Sequence, residues 1–225
     1  KYLPELQIYE VPTGTQVFDW IVPQEWNCQE AYIEDAEHRR ILDFRENNLS
    51  IVNYSISVDK WVSLKELKSI IYTQPDQPEL IPYVTSYYNR QYGFCMSEKQ
   101  KENLKEGYYH IVINSSLNEG SLTYGEYVFQ GQSREEIFIS TYICHPSMAN
   151  DNCSGIAVAL KLAEWVKQQK NRYTYRFIFI PETIGAITYL SRNLEYLQKN
   201  MLAGFNLSCV GDTREYSYVP TRKGN

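Results

Sequence analysis

The stretch that decides the fold runs from residue 137 to residue 155 and reads IFISTYICHPSMANDNCSG. Its first eight residues are too apolar for a strand with one face in water, so they predict a strand that is buried on both faces. The loop that follows leads into SGIAVALKLAEWVKQQ (residues 154–169), where apolar residues recur at helical spacing, with Asn152 or Ser154 as the expected cap. The segment therefore predicts a strand, a loop and a helix in succession.

The same pattern continues toward the end of the chain. Two more strand-like runs read YRFIFIPETIG (175–185) and AGFNLSCVGD (203–212). The segment between them is amphipathic, with an apolar stripe of Ile187, Leu190, Leu194 and Leu197. Strands that alternate with helices imply a parallel, right-handed unit. A further strand, LQIYEV (6–11), is a candidate for the same sheet.

Residues 12–134 show a different pattern. Short alternating runs are separated by turn-prone residues, and SLKELKSII (63–71) is the one helical interruption. The alternating runs are EAYIED, RRILDF, LSIVNYSISV, YYHIVINSSL and LTYGEYVFQG. We therefore predict an α/β domain formed by residues 1–11 and 135–225, with an inserted, mostly antiparallel β domain at 12–134.

The composition describes an ordinary globular chain of 225 residues, with 43% hydrophobic and 22% charged residues. A net charge of −5 gives no basic footprint for nucleic acid or an anionic membrane surface. No apolar run approaches the length of a membrane span, and the 5 cysteines form no CxxC pair. We expect a cytoplasmic location, and the abrupt ends suggest a piece of a longer protein.

Four side chains at the ends of the apolar runs indicate chemistry. His145, Glu182 and Asp212 follow the three runs, and Asp151 lies in the loop after the first. In an open α/β sheet, ligands bind beyond the carboxyl ends of the strands. One imidazole and three carboxylates collected there are the usual ingredients of a zinc hydrolase site, with Glu182 as the base that takes a proton from water.

Each residue also has an ordinary structural explanation, which the sequence leaves open. His145 could be a hydrogen-bonding residue, Asp151 a helix cap, Glu182 a partner in an ion pair at the sheet edge, and Asp212 a turn former. Cys153 with His145 and Asp151 is a weaker alternative, a nucleophilic set whose geometry nothing in the sequence fixes. The chain has no G-x-S-x-G motif and no phosphate-binding loop.

At these segments the chain resembles the zinc aminopeptidases of the co-catalytic exopeptidase family. The resemblance matches His145 to the first metal ligand, the run Asp151–Gly155 to the motif of the bridging aspartate, Glu182 to the catalytic base and Asp212 to the later carboxylate ligand. It implies a mixed α/β sheet with flanking helices and one or two zinc ions at its strand ends.

Three departures from the family pattern concern the metal ligands. His145 and Asp151 are closer in sequence than in the family pattern, and Thr183 stands where the family has a second glutamate that binds one metal. The last histidine of the pattern would lie beyond Asn225. The resemblance therefore implies one metal position with His145, Asp151 and Asp212, and a second that keeps only Asp151.

More narrowly, HPSMAND, FIPETIG, CVGD, IVPQEWN and PYVTSYY resemble a bacterial aminopeptidase-like group that carries an inserted β domain and is often associated with surface-polysaccharide genes. This resemblance implies a hydrolase for a small peptide or another amide. Two alternatives stay open. One is an inactive scaffold that binds a glycan or protein through the tyrosine-rich β domain, and the other is an amidohydrolase or deacetylase that acts on a modified sugar. Assembly into a homo-oligomer is also open.

Overall fold

A computed structural model describes Leu3, residues 5–215 and residues 217–224. The chain divides into two compact units, unit 1 (Lys1–Val22 with Ser121–Asn225) and unit 2 (Pro23–Gly120). Within the described residues, no helix is both long enough and apolar enough to span a membrane.

The regular elements are numbered in chain order. The strands are β1 (Gln7–Pro12), β2 (Gln16–Val17), β3 (Trp20–Ile21), β4 (Glu25–Glu34), β5 (Arg40–Asp43), β6 (Val58–Ser63), β7 (Ile71–Tyr72), β8 (Phe94–Cys95), β9 (Tyr108–Asn118), β10 (Ser121–Phe129), β11 (Glu136–Tyr142), β12 (Thr174–Ile180) and β13 (Met201–Leu207). The α-helices are α1 (Leu64–Ser69), α2 (Glu98–Glu102), α3 (Gly155–Lys167) and α4 (Ile184–Asn200).

Unit 1 is built on a five-stranded mixed sheet in the order β1-β10-β12-β11-β13. β11 pairs in parallel with both β12 and β13, whereas β10 runs antiparallel to β12 and to β1. The predicted α/β fold is confirmed, including the parallel arrangement of the three apolar runs. The carboxyl ends of β11 and β12 lie at the same edge of the sheet, and this edge positions the candidate site.

Helices cover both faces of this sheet. Phe177 packs in one apolar cluster with the α3 residues Ala159 and Ala163, while the next residue, Ile178, packs in another with Tyr189 of α4. Successive residues of a strand point to opposite faces, so α3 and α4 cover opposite sides of β12. This two-sided burial explains why the runs of β11 and β12 are mostly apolar rather than alternating, whereas β13 is largely exposed.

Two predictions about the helices are wrong in detail. Leu190 and Leu194 of α4 are 41% and 39% exposed, because the helix buries the face that carries Thr188 and Tyr189 instead. α3 begins after Ser154 with no side-chain cap. The Ser154 hydroxyl donates to the Asn150 carbonyl at 2.6 Å, and the side-chain amide of Asn152 donates to the Thr141 hydroxyl of β11. Neither side chain therefore caps α3.

Unit 2 is a four-stranded antiparallel sheet in the order β5-β4-β9-β6 with short additional elements. Its core collects Ile33, Ile111 and Ile113 of the sheet with Leu64 and Leu67 of α1. α1 begins with a capping box, in which the side chains of Ser63 and Glu66 each bond the other residue's backbone N–H. The run LSIVNYSISV (49–58) forms mainly turns and isolated bridges rather than the strand that its alternation suggests.

The division of the chain differs from the predicted boundaries at residues 11/12 and 134/135. It falls at 22/23 and 120/121, because LTYGEYVFQG forms most of β10 and joins the sheet of unit 1. Strand alternation looks the same whichever sheet the strand enters, so the sequence pattern could not assign it. The suggestion that LQIYEV belongs to the α/β sheet is confirmed by the pairing of β1 with β10.

Candidate functional site

The loop that follows β11 lies at the carboxyl edge of the unit 1 sheet. It begins with Ile143, whose N–H donates to the carbonyl of Ile180, the last residue of β12, at 2.9 Å. This bond places the start of the loop next to the segment that carries Glu182. The loop therefore joins the ends of two parallel strands, which is where α/β sheets bind ligands.

His145 and Asp151 approach each other within this loop. The distance from His145 Nε2 to Asp151 Oδ2 is 3.4 Å, and the other ring nitrogen, Nδ1, lies 2.9 Å from the carbonyl oxygen of Pro146. The His145 side chain is 18% exposed, whereas that of Asp151 is 52% exposed. The pair thus has one sheltered imidazole and one carboxylate that is open to solvent.

Tyr142, the last residue of β11, fixes the Asp151 carboxylate from the opposite side. Its hydroxyl donates to Asp151 Oδ1 at 2.6 Å and lies 2.8 Å from the hydroxyl of Ser208. The hydrogen bond from Tyr142, with a further contribution from His145, holds the pKa of Asp151 below its usual value. Burial and the carboxylate together raise the pKa of the Tyr142 hydroxyl, which keeps it a donor.

Asn152 anchors the backbone of the loop. Its fully buried side-chain amide donates to Thr141 Oγ1 at 2.9 Å and to the carbonyl of Tyr142 at 3.1 Å, while its oxygen accepts from the N–H of Cys209 at 3.2 Å. The Asp151–Asn152 peptide bond is cis. Gly155 follows because a Cβ there would collide with Asn152 Oδ1 and with the carbonyl oxygen of Leu207.

Glu182 is exposed and follows β12 after Pro181. One of its oxygens, Oε2, accepts a hydrogen bond from the thiol of Cys144 at 3.6 Å. Burial raises the pKa of this thiol, so it remains a neutral donor. The next residue, Thr183, has a φ of 54° and immediately precedes α4, so the backbone turns sharply after Glu182.

Asp212 lies farther from its strand than the sequence predicts. The run 203–212 suggests a strand that continues to residue 210, but β13 ends at Leu207 and the chain then turns, with a φ of 53° at Cys209. The Asp212 carboxylate accepts from the Arg214 N–H at 2.8 Å and from its guanidinium at 3.0 Å. These bonds hold the pKa of Asp212 below its usual value in an exposed turn.

The structure thus brings His145 and Asp151 together, and it pairs Glu182 with Cys144 and Asp212 with Arg214. Among the residues that the structure describes, no three His, Cys, Asp or Glu side chains are grouped closely enough to hold a metal ion. Sequence reasoning missed Tyr142 as the partner of Asp151. The available signal was a tyrosine at the end of a buried strand, since a buried phenol needs a partner for its hydroxyl.

His145 and Asp151 supply one nitrogen and one oxygen of the kinds that zinc binds, and the described residues place no third ligand beside them. A tetrahedral zinc ion with bonds of about 2.0 to 2.1 Å to nitrogen and oxygen places two ligand atoms roughly 3.3 Å apart. The separation of His145 Nε2 and Asp151 Oδ2, 3.4 Å, agrees with two such positions. Asp212 is bonded to Arg214, and within the described part of the chain it is not grouped with this pair.

Comparison with known proteins gives a family, a relative and a fold. The family model described as "Domain of unknown function (DUF4910)" matches residues 1–225. A relative from Clostridium acetobutylicum is 47% identical over 225 residues, which are 100% of this chain and 51% of the relative. Its name is "Putative polysaccharide biosynthesis protein with aminopeptidase-like domain". The chain therefore spans about half the length of this relative.

Two solved structures are similar to this chain in fold. The crystal structure of a "putative peptidase" from Clostridium acetobutylicum superimposes with a TM-score of 0.90 at 48% identity, over 93% of this chain and 50% of that one. BSAP, a zinc aminopeptidase from Bacillus subtilis, matches with a TM-score of 0.62 at 14% identity, over 93% of this chain and 60% of that one. At that identity the likeness to BSAP shows the fold alone, and it confirms the resemblance to the zinc aminopeptidase fold.

Proposed function

The chain belongs to the DUF4910 family, and we propose that it carries the catalytic edge of a zinc-dependent hydrolase of the aminopeptidase type. Such an enzyme removes an amino-terminal residue or cleaves a related amide in a small substrate. The observation that carries the proposal is the approach of His145 Nε2 to Asp151 Oδ2 at 3.4 Å, at the carboxyl edge of a sheet with the zinc aminopeptidase fold.

Each residue has a distinct role in this proposal. His145 would bind zinc through Nε2, because its Nδ1, which then carries the proton, can donate to the Pro146 carbonyl at 2.9 Å. Asp151 would bind through Oδ2 while Tyr142 occupies Oδ1. Asp212 would rotate from Arg214 to complete the set. Bound zinc would supply a Lewis acid that polarises the carbonyl and acidifies water.

Glu182 would act as the general base. Its carboxylate is exposed, so it can accept a proton from the attacking water and return it to the leaving amine. The Cys144 thiol donates to one oxygen, Oε2, and would orient the carboxylate. Thr183 offers a hydroxyl where the related aminopeptidases have a carboxylate, and Tyr142 occupies the other oxygen of Asp151, so we propose one bound ion.

The location of the enzyme is part of the same proposal. All five cysteines carry free thiols, and three of them, Cys144, Cys153 and Cys209, are exposed. Exposed thiols persist in a reducing compartment, so we propose that the protein acts in the cytoplasm.

A Glu182→Gln substitution tests the assignment of the base. We expect release of nitroaniline from aminoacyl-p-nitroanilides by the full chain to fall by roughly 10² to 10⁴-fold, since the amide cannot accept the proton. Zinc content should stay unchanged. The matched control is Glu164→Gln, which removes a half-buried carboxylate that pairs with Lys161 at 2.8 Å on α3 and should leave turnover unchanged. Full turnover in Glu182→Gln would contradict the assignment.

A second candidate is a binding scaffold without catalysis, which Thr183 and the pairing of Asp212 with Arg214 favour. In that case the exposed tyrosines of unit 2, such as Tyr87 and Tyr88, would bind a glycan or a protein. The relative is named for polysaccharide biosynthesis, and an amide in a modified sugar is therefore a further candidate substrate that we propose to test. A zinc-loaded full chain that stays inert on aminoacyl and N-acetylated sugar substrates alike would favour the scaffold.

A further inference from the structure

We infer that unit 2 carries a sugar-binding site, in which a pyranose ring of an oligosaccharide packs on Tyr87 and Tyr88 while its hydroxyls bond the polar groups beside them. The site makes the second candidate function specific, since that function leaves the tyrosines of unit 2 between a glycan and a protein. It does not depend on hydrolysis in unit 1, because every residue of the site lies in unit 2.

Four aromatic side chains of unit 2 form a row, which consists of Trp26, Tyr54, Tyr87 and Tyr88 and which we call the aromatic row. Its successive ring centroids are 6.0, 5.5 and 6.4 Å apart. Trp26 and Tyr54 are half-buried, whereas Tyr87 is 43% exposed and Tyr88 is 61% exposed. The two inner rings therefore support two outer rings that a ligand in solution can reach.

Hydrogen bonds fix the backbone that carries the aromatic row. The Asn53 N–H donates to the Val84 carbonyl at 2.9 Å, and the Asn53 carbonyl accepts from the Ser86 N–H at 3.0 Å. These bonds tie the segment before Tyr54 to the segment before Tyr87. Both tyrosines are left-handed, with φ of 66° and 43°, a conformation that bulky residues rarely adopt and that clusters at binding sites. The row is thus in place before any ligand binds.

The exposed side chains of unit 2 favour a sugar as the ligand. Among the large apolar side chains that are exposed on this unit, which the structure describes completely, only Leu80 is aliphatic and the rest are aromatic. A tyrosine presents an apolar ring face with a hydroxyl at its edge. The C–H groups on one face of a pyranose can pack on such a ring, and the sugar hydroxyls can bond the phenol oxygens.

A carboxylate beside the aromatic row favours a sugar over a proline-rich peptide, which aromatic-lined grooves also bind. Burial raises the pKa of Tyr54, and the nearby hydroxyls of Tyr88 and Tyr83 raise it further. The Glu25 carboxylate acts in the same direction, so it too lies near the row. A carboxylate only accepts hydrogen bonds, and proline has no N–H to donate. Sugar hydroxyls both donate and accept, so they match the phenols and the carboxylate together.

The test is the binding of cellohexaose and of maltohexaose to the full chain, measured by isothermal titration calorimetry. Neither sugar contains an amide, so the hydrolysis proposed for unit 1 cannot consume it. We expect saturable binding, and Tyr88→Ala should raise the dissociation constant by about tenfold or more, because it removes the most exposed ring of the row. Tyr88→Phe keeps the ring, so its dissociation constant should stay within about threefold of the parent value.

The matched control is Tyr108→Ala, which removes a tyrosine that is 67% exposed at the start of β9, outside the row, and should leave binding unchanged. Glu25→Gln is the second variant, since it keeps the size of the side chain and removes its charge. We expect it to raise the dissociation constant by roughly three- to tenfold. It keeps the inference testable if Tyr88→Ala does not fold.

Three results would overturn the sugar site. The first is a parent chain that binds neither hexasaccharide, and the second is an equal affinity in the parent, Tyr88→Ala and Glu25→Gln. The third is binding of a polyproline peptide alone, lost in Tyr88→Ala, which would assign the row to a peptide. Glu182→Gln, the variant that tests the proposed hydrolase, should bind both hexasaccharides like the parent, so the two proposals fail separately.

Discussion

Unit 1 contains two clusters of acidic side chains that differ in how completely they are paired. In one cluster, Arg176 bonds Glu136 through two nitrogens at 2.7 and 2.9 Å and Glu126 at 2.8 Å, and the side chains of Arg176 and Glu136 are 11% and 2% exposed. In the candidate site, the Asp151 side chain is 52% exposed, and its Oδ2 lies 3.4 Å from His145 Nε2. We call the first group the Arg176 cluster.

The difference shows how to separate structural from functional carboxylates. The Arg176 cluster is buried and saturated, because Tyr196 also donates to Glu136 at 2.5 Å and Tyr189 to Glu126 at 2.6 Å. These charged groups bond one another and the two tyrosines, so the cluster serves stability and the registry between the strands and α4. Asp151 accepts a hydrogen bond from Tyr142, but its side chain remains 52% exposed. Its carboxylate can therefore still bind a ligand.

The largest expected effect comes from breaking the saturated cluster. Arg176→Met should lower the free energy of unfolding by about 3 to 5 kcal/mol, because it leaves buried carboxylates without their cation. His145→Ala, the counterpart in the open site, should cost less than about 1 kcal/mol. Urea unfolding followed by circular dichroism measures both.

Arg214→Met is the control for this comparison. It removes another arginine–carboxylate pair, with Asp212, but the Arg214 side chain is 85% exposed, so we expect a change between about 0 and 1 kcal/mol. Equal losses for Arg176→Met and Arg214→Met would erase the distinction between the two clusters.

A smaller effect is expected from acid. Burial alone would raise the pKa of Glu136, but the hydrogen bonds from Arg176 and Tyr196 hold it below its usual 4.5. A carboxyl whose pKa is lower in the folded state contributes stability above its unfolded pKa, and that contribution is lost as the pH falls through the folded value. The parent should therefore lose stability as the pH falls below about 4.5.

Unfolding free energies at several values between about pH 3 and pH 6 check this expectation. In Arg176→Met the acid-induced loss should be shallower, since burial then favours the protonated carboxyl of Glu136. An unchanged slope in the variant would mean that other carboxyls, Asp151 among them, dominate the acid response.

The sequence predicts the α/β sheet well because its two central parallel strands, β11 and β12, are largely buried. The apolar runs at 137–144 and 177–180 have few other structural explanations, and the loops after them carry His145 and Glu182. The place of β10 could not be predicted, because its alternating pattern suits either sheet. Pairs that depend on loop conformation, such as Tyr142 with Asp151 and Arg214 with Asp212, could not be predicted from the sequence either.

Anomalous scattering at the zinc absorption edge, from zinc-soaked crystals of the full chain, tests the central claim most directly. We predict a peak about 2.0 to 2.2 Å from both His145 Nε2 and Asp151 Oδ2, with Asp212 rotated toward it, and no peak at this position in His145→Ala. Parent crystals with no peak at this position, and with Asp212 still bonded to Arg214, would contradict the account.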